Sequence, residues 1–179
     1  MTDDSRELGS MIVLQHGLRK FTHRVAAVAT RDEHVLLNQA EGNAFWYLPG
    51  GRVELMETAA DALRREMREE MDVEIKVGRL LWVIENYFRF EDISHHELGL
   101  YFLVELPDEL GPRRAEMFTG VEGDRRIEFR WLPLRSLEGE LVFPSFLKSG
   151  LIDLTSGTQH IVYFDEPDMA GGRYGVGAG

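Results

Sequence analysis

Residues 51–73, GRVELMETAADALRREMREEMDV, decide the reading of this chain. From Thr58 the composition turns to Ala, Leu, Met, Glu and Arg, and Thr58 and Asp61 are spaced like the ends of a capping box. A helix is therefore expected over Thr58–Met71. At about 100° per residue, Glu66, Glu69 and Glu70 fall within about a 100° arc. Ala60, Leu63, Met67 and Met71 form an adjacent apolar stripe, while Asp61, Arg64 and Arg68 lie opposite the acids. Three carboxylates thus border the buried flank of the helix, where a cleft would lie. Glu66 and Glu70 form an i,i+4 like-charge pair, which costs roughly 0.2–0.5 kcal/mol in an isolated helix. A hard divalent cation would turn that repulsion into a binding site, because Mg²⁺ prefers oxygen ligands. The plainer alternative is a charged helix whose acids pair with Arg64, Arg65 and Arg68.

Outward from this stretch the pattern is that of strands. Residues 24–30 (RVAAVAT) and 34–38 (HVLLN) read as a hairpin. A short aromatic strand, Phe45–Leu48, stops at Pro49-Gly50-Gly51. Strand character returns over 73–87, 98–106 and 127–132, with short helices expected over 133–137 and 144–151 and a late strand over 159–164. Strands interleaved with one long and one or two short helices indicate a mixed α/β layer fold. The chain divides into a lead segment (1–20), one domain (21–165) and a tail (166–179), and its last ten residues include five glycines.

Composition sets bounds on function. The 20 Lys+Arg against 31 Asp+Glu give a formal charge of −11, which repels a nucleic-acid polyanion, so DNA binding is not expected. A small phosphorylated ligand remains open to such a chain if a metal ion supplies positive charge. There is no cysteine, hence no disulfide and no thiolate metal site. The polar first eight residues lack the character of a signal peptide, and the apolar runs 80–84 and 98–104 are too short to span a bilayer. A soluble, cytoplasmic protein is expected.

Gly51, five residues, Glu57, seven residues and then Arg65-Glu66-Met67-Arg68-Glu69-Glu70-Met71-Asp72-Val73 closely resemble the Nudix box. One fixed position departs, since Asp72 stands where the box has its last glycine. The resemblance implies a Nudix α/β/α sandwich with a mixed β-sheet and a catalytic loop-helix-loop. It implies Mg²⁺, or Mn²⁺, held by Glu66, Glu69 and Glu70 with the Gly50 carbonyl, and Glu57 with Arg65 bracing the loop against the helix. The implied reaction is attack of metal-activated water on phosphorus in a nucleoside di- or triphosphate, or in a nucleoside diphosphate linked to another moiety. A non-catalytic nucleotide-sensing domain is the alternative, and the four retained box glutamates speak against it. The family also permits a homodimer. Glu97, Glu122 and Glu128 are candidates for a base outside the box, with Glu122 preferred for its place in a loop before the Trp131 strand. For substrate contacts the candidates are Arg24, Arg52, Trp46 and Tyr87, the aromatics as surfaces on which a base could stack. His95 and His96, adjacent in a strand, face opposite sides, so only one of them can lie near a substrate.

Overall fold

The computed structural model describes residues 11–90, 92–113, 117–123, 125–168 and 173–175. The chain opens with β1 (Val13–His16) and β2 (Arg19–Val28), then crosses at Ala29 into β3 (Thr30–Arg31) and β4 (His34–Ala40). A two-residue strand, β5 (Trp46–Tyr47), precedes the glycine loop and helix α1 (Ala59–Met71). Two long strands follow, β6 (Lys76–Phe90) and β7 (Ile93–Glu105), then β8 (Met117–Glu122) and β9 (Arg125–Pro133). A 3₁₀ turn (Leu134–Gly139), β10 (Val142–Phe143), the short α2 (Leu147–Gly150) and β11 (Gln159–Phe164) complete the body, with a small β12 (Glu166–Asp168) and β13 (Arg173–Gly175) pair behind them.

The strands divide between two mixed sheets. One runs β1-β2-β7-β6-β11 and the other β10-β5-β4-β9-β8. The hairpin expected of residues 24–38 forms only at its tip, where Thr30 pairs with Val35. Strand β2 instead lies parallel to β7 in the first sheet. The reason is burial: Val25 to Ala29 are all at most 8 % exposed, so this run is covered on both faces, as an interior strand of a sandwich is. Alternate residues serve different layers. Val25, Ala27 and Ala29 pack with Leu63 and Met67 of α1, while Ala26 and Val28 pack with Trp82, Leu137 and Phe146 on the other side.

Helix α1 begins as its sequence directs. The Asp61 amide donates to Thr58 Oγ1 at 3.2 Å, and Thr58 Oγ1 donates to Asp61 Oδ2 at 2.7 Å. Such a cap contributes about 1 kcal/mol. The buried face differs from the stripe read from sequence. It is made of Ala62, Leu63, Glu66, Met67 and Glu70, with Ala60 and Met71 only half-buried. Glu66 and Glu70 therefore sit in the middle of the buried arc, and Glu69 is turned out of it.

The helix ends at Asp72, which takes the left-handed conformation (φ 55°, ψ 41°) and donates its amide to the Arg68 carbonyl at 2.9 Å. Asp tolerates this region better than most residues, because its short side chain bonds locally, but glycine enters it without a Cβ clash. Replacing Asp72 with Gly is expected to hold or raise the unfolding free energy by about 0.5 kcal/mol, and Asp72→Val to lower it by about 1–2 kcal/mol. Urea unfolding of the two variants measures both.

Candidate active site

The loop before α1 is pinned to strand β2 by backbone hydrogen bonds. Val25 and Ala27 donate to the Gly51 and Pro49 carbonyls at 2.9 and 2.8 Å, and Val53 donates to the His23 carbonyl at 3.0 Å. Residues 49–53 thus act as an extra strand on the edge of β2. Both glycines are required by this close approach. Gly50 adopts φ +139°, and a Cβ there would run into the Val25 carbonyl. At Gly51 a Cβ would occupy the space held by the Glu66 carboxylate. The helix acid and the loop glycine are therefore matched to each other.

Arg65 joins the two segments. Its Nε and Nη2 donate to the two carboxylate oxygens of Glu57 at 2.9 and 3.0 Å, and Nη2 also donates to the Arg52 carbonyl at 2.9 Å. Its Nη1 donates to Glu66 Oε1 at 3.0 Å and Glu69 Oε2 at 3.2 Å. All five guanidinium hydrogens are thereby used. Glu57 Oε2 accepts in addition from the Glu54 amide at 3.1 Å. The forked pair with Arg65 holds the Glu57 carboxyl below its ordinary value, and Glu57 raises that of Arg65 in return. At Glu66 burial dominates and pushes the carboxyl up, although Arg65 opposes it. Glu66 and Glu70 are 8 % and 4 % exposed, whereas the Glu69 side chain is 59 % exposed.

A cavity of about 420 Å³ opens beside this helix. Glu70, Gly50 and Arg52 line one end, and Arg24, Lys20 and Arg125 bring further positive charge. Arg24 Nη2 donates to the Gly50 carbonyl at 3.5 Å, and its Nε lies 3.8 Å from Glu97 Oε2. The oxygen donors named from sequence are of the right kind for a hard cation. Glu66 rests against Gly51, and Glu70 and Gly50 share the cavity wall. Glu69 lies outside this grouping, on Arg65, and among the described residues no three acidic or histidine side chains form a ready coordination shell.

The remaining sequence candidates separate cleanly. Arg24 and Arg52 line the cavity. Trp46 does not. It is 7 % exposed in the core, under the Arg130 guanidinium at 5.3 Å, while its neighbours Phe45 and Tyr47 face the cavity. Tyr87 is likewise on the far face of β6, stacked between His96 at 4.4 Å and Phe164 at 4.9 Å, while Asn86 and Phe88 line the cavity. Both aromatic assignments are displaced by one residue, and in a strand one residue exchanges the faces. The histidines divide as alternation requires: His95 is in the cavity, flat on Phe88 at 4.6 Å, and His96 is on the opposite face. Of the acids outside the helix, Glu97 lines the cavity. Glu128 pairs with Arg130 at 2.7 Å on β9. Glu122 ends β8 opposite Arg125, and its side chain lies outside the described residues. Asp165, Asn86 and Thr22, all buried and all on the cavity wall, carried no sequence signal of their own.

The depressed Glu57 carboxyl gives a pH signature. A carboxylate held below its ordinary value of 4.5 adds stability above that value, and the contribution fades as pH falls through the depressed value. Glu57→Gln is expected to be less stable than the parent by about 2 kcal/mol at pH 7, with the gap narrowing below about pH 4.5. Denaturant unfolding between pH 3 and 7 measures this gap.

Comparison with known proteins agrees with this geometry. A MutT-like protein of Streptomyces ambofaciens is 31% identical over 110 residues, covering 53% of this chain and 70% of that protein. The CTP pyrophosphohydrolase of Escherichia coli K12 is 40% identical over 63 residues, which are 33% of this chain and 47% of that enzyme, so the chain matches less than half of its length. Among solved structures a UDP-X diphosphatase superposes with a TM-score of 0.57 at 21% identity, covering 78% of this chain and 66% of that one. The NUDIX domain family matches residues 20–148, and with the box glutamates, the Glu57–Arg65 brace and the fold in place, the chain belongs to that family and is a hydrolase of the Nudix type.

Proposed function

We propose that this chain is a Mg²⁺-dependent pyrophosphohydrolase acting on a nucleoside di- or triphosphate, or on a nucleoside diphosphate joined to another moiety. One observation carries the reading. In a chain of net charge −11, Glu70 of the helix shares a cavity with Lys20, Arg24, Arg52 and Arg125, and Glu66 lies one turn before it against Gly51. Positive side chains gathered beside buried carboxylates in an otherwise acidic protein suit a small anion that arrives with a cation. The relatives act on related chemistry, a CTP and a UDP-linked substrate by their names.

In this reading Glu66, Glu70 and the Gly50 carbonyl hold the cation, with Glu69 joining from its surface position. When bound, Mg²⁺ supplies charge to the diphosphate oxygens and acidity to a water. The arginines bind and orient the diphosphate, and Arg24 is steadied for this by Glu97. Glu97 also accepts the proton from the attacking water, being the acid outside the helix that faces the cavity beside Arg24. Glu57 and Arg65 hold loop and helix in register without touching substrate.

Incubating nucleoside triphosphates, nucleotide sugars, dinucleoside polyphosphates and ADP-ribose with Mg²⁺ or Mn²⁺ tests the proposal. Metal-dependent release of phosphate, pyrophosphate or nucleoside monophosphate is expected from one class, with Glu70→Gln slower by more than about 100-fold at unchanged thermal stability. Near-normal turnover in Glu70→Gln would overturn the metal assignment, and nucleotide binding without turnover would favour a sensor. Glu97→Gln is expected to lower kcat by about 100-fold or more with little change in KM. A near-normal kcat in this variant would exclude Glu97 as the base.

A further inference from the structure

The cavity has a second end, and its chemistry is opposite to that of the first. Its floor is the first sheet, where residues in register make polar rows across the strands. Thr22 pairs with Glu97 and Glu97 with Asn86, and the neighbouring row is Lys20, His95 and Phe88. Asn86 is 6 % exposed, and its Oδ1 is buried with no hydrogen-bond partner among the described residues. An amide oxygen left in that state costs about 1–3 kcal/mol unless something donates to it.

Asp165 adjoins it. It follows β11, where Tyr163 pairs with Asn86, and its amide donates to the Tyr87 carbonyl at 2.8 Å, placing Asp165 on the cavity side of the sheet. It too is 6 % exposed, and no Lys, Arg or His among the described residues forms an ion pair with it. Ser145 fixes its orientation, donating from Oγ to Oδ1 at 2.7 Å and from the amide to Oδ2 at 3.1 Å. Because the Ser145 hydroxyl hydrogen goes to Asp165, the Tyr163 hydroxyl must donate to Ser145 Oγ, at 2.8 Å. Each carboxylate oxygen keeps a lone pair. Burial pushes the Asp165 carboxyl up, and the Ser145 donors only partly offset this. The outcome is two buried acceptors on one wall, one oriented by its own scaffold and one unsatisfied, next to the flat His95–Phe88 pair.

We propose that Asn86 and Asp165 are specificity-determining residues that select, at the end of the substrate away from the diphosphate, a group presenting two adjacent hydrogen-bond donors. Two sources supply such a group: the N–H pair on the edge of a guanine, or a vicinal diol of a second sugar joined to the far phosphate, as distinct from the ribose that every nucleotide carries. The inference rests on the reading of the cavity as the substrate site. Adenine and uracil edges, which alternate donor and acceptor, leave one of the two oxygens unsatisfied, and a site built to bond a donor rejects the analogue that lacks it.

Calorimetric binding to the full chain without divalent metal tests the pair, with GDP, IDP and ADP as probes of the base edge and UDP with UDP-glucose as probes of the diol. The expected result is a margin of about ten-fold or more, GDP over IDP and ADP if a guanine is read, or UDP-glucose over UDP if a diol is read. Asp165→Asn puts a donor in place of one acceptor, and its single amide oxygen can accept only one of the two Ser145 hydrogens. It should cut the margin below about three-fold, leaving the weaker ligand's affinity unchanged while lowering the Tm through the lost Ser145 bond. Asn86→Leu should cut the margin likewise without touching Ser145, and it carries the test if Asp165→Asn fails to fold. Absence of any margin, or a margin that survives both variants, would overturn the inference. Turnover lost in Glu70→Gln would still stand in that case, so the two failures are distinguishable.

Discussion

The site depends on one saturated guanidinium. Arg65 has five hydrogens to give, and each is bonded: two to the carboxylate of Glu57 in the loop, one to the Arg52 carbonyl, one each to Glu66 and Glu69 on its own helix. Loop and helix are separate segments with no sheet pairing between them, so this fork is the side-chain link that sets their spacing. A lysine would keep the charge but could not bond both segments in fixed directions, because its donors swing about a single nitrogen. The Glu66 carboxylate, packed against a glycine that can carry no side chain, then has one place to go.

Part of the candidate site was legible because local rules and a resemblance coincide there. Thr58 and Asp61 announce the helix start, and Gly51, Glu57 and the three helix acids stand at the spacing of the Nudix box. What sequence left hidden depends on the third dimension. The arc that α1 buries is set by the two layers it packs against, and this moved Ala62 into the core in place of Ala60. Trp46 and Tyr87 were right as to strand and wrong as to face, since an aromatic run such as Phe45-Trp46-Tyr47 contains no alternation to show which ring looks inward. Asp165 lies 95 residues beyond Glu70 in number, and only the parallel pairing of β11 with β6 brings it to the cavity.

The cavity joins two electrostatic regimes. At the helix end, basic side chains and buried acids lie together, so the local field is balanced and responds strongly to an added ion. At the Asp165 end the buried polar groups are mainly acceptors, held by a relay of hydroxyls rather than by a counter-charge. In the proposed reading, an elongated molecule with an anionic middle and a donor-bearing terminus engages both ends at once, and a compact anion only the first.

Strand β2 carries a consequence for how such a protein can change over generations. Its even residues, Thr22, Arg24 and Ala26, face the cavity, while the odd ones, Val25 and Ala27, face α1. Gain or loss of a single codon between 19 and 28 would swap those sets, sending a guanidinium into the apolar layer beneath the helix and a valine side chain into the cavity. This strand is thus closed to changes of length. Descendants can diverge in ligand preference there only by exchanging one side chain for another at even positions, and drift in chain length is left to connections that do not carry both layers on one backbone.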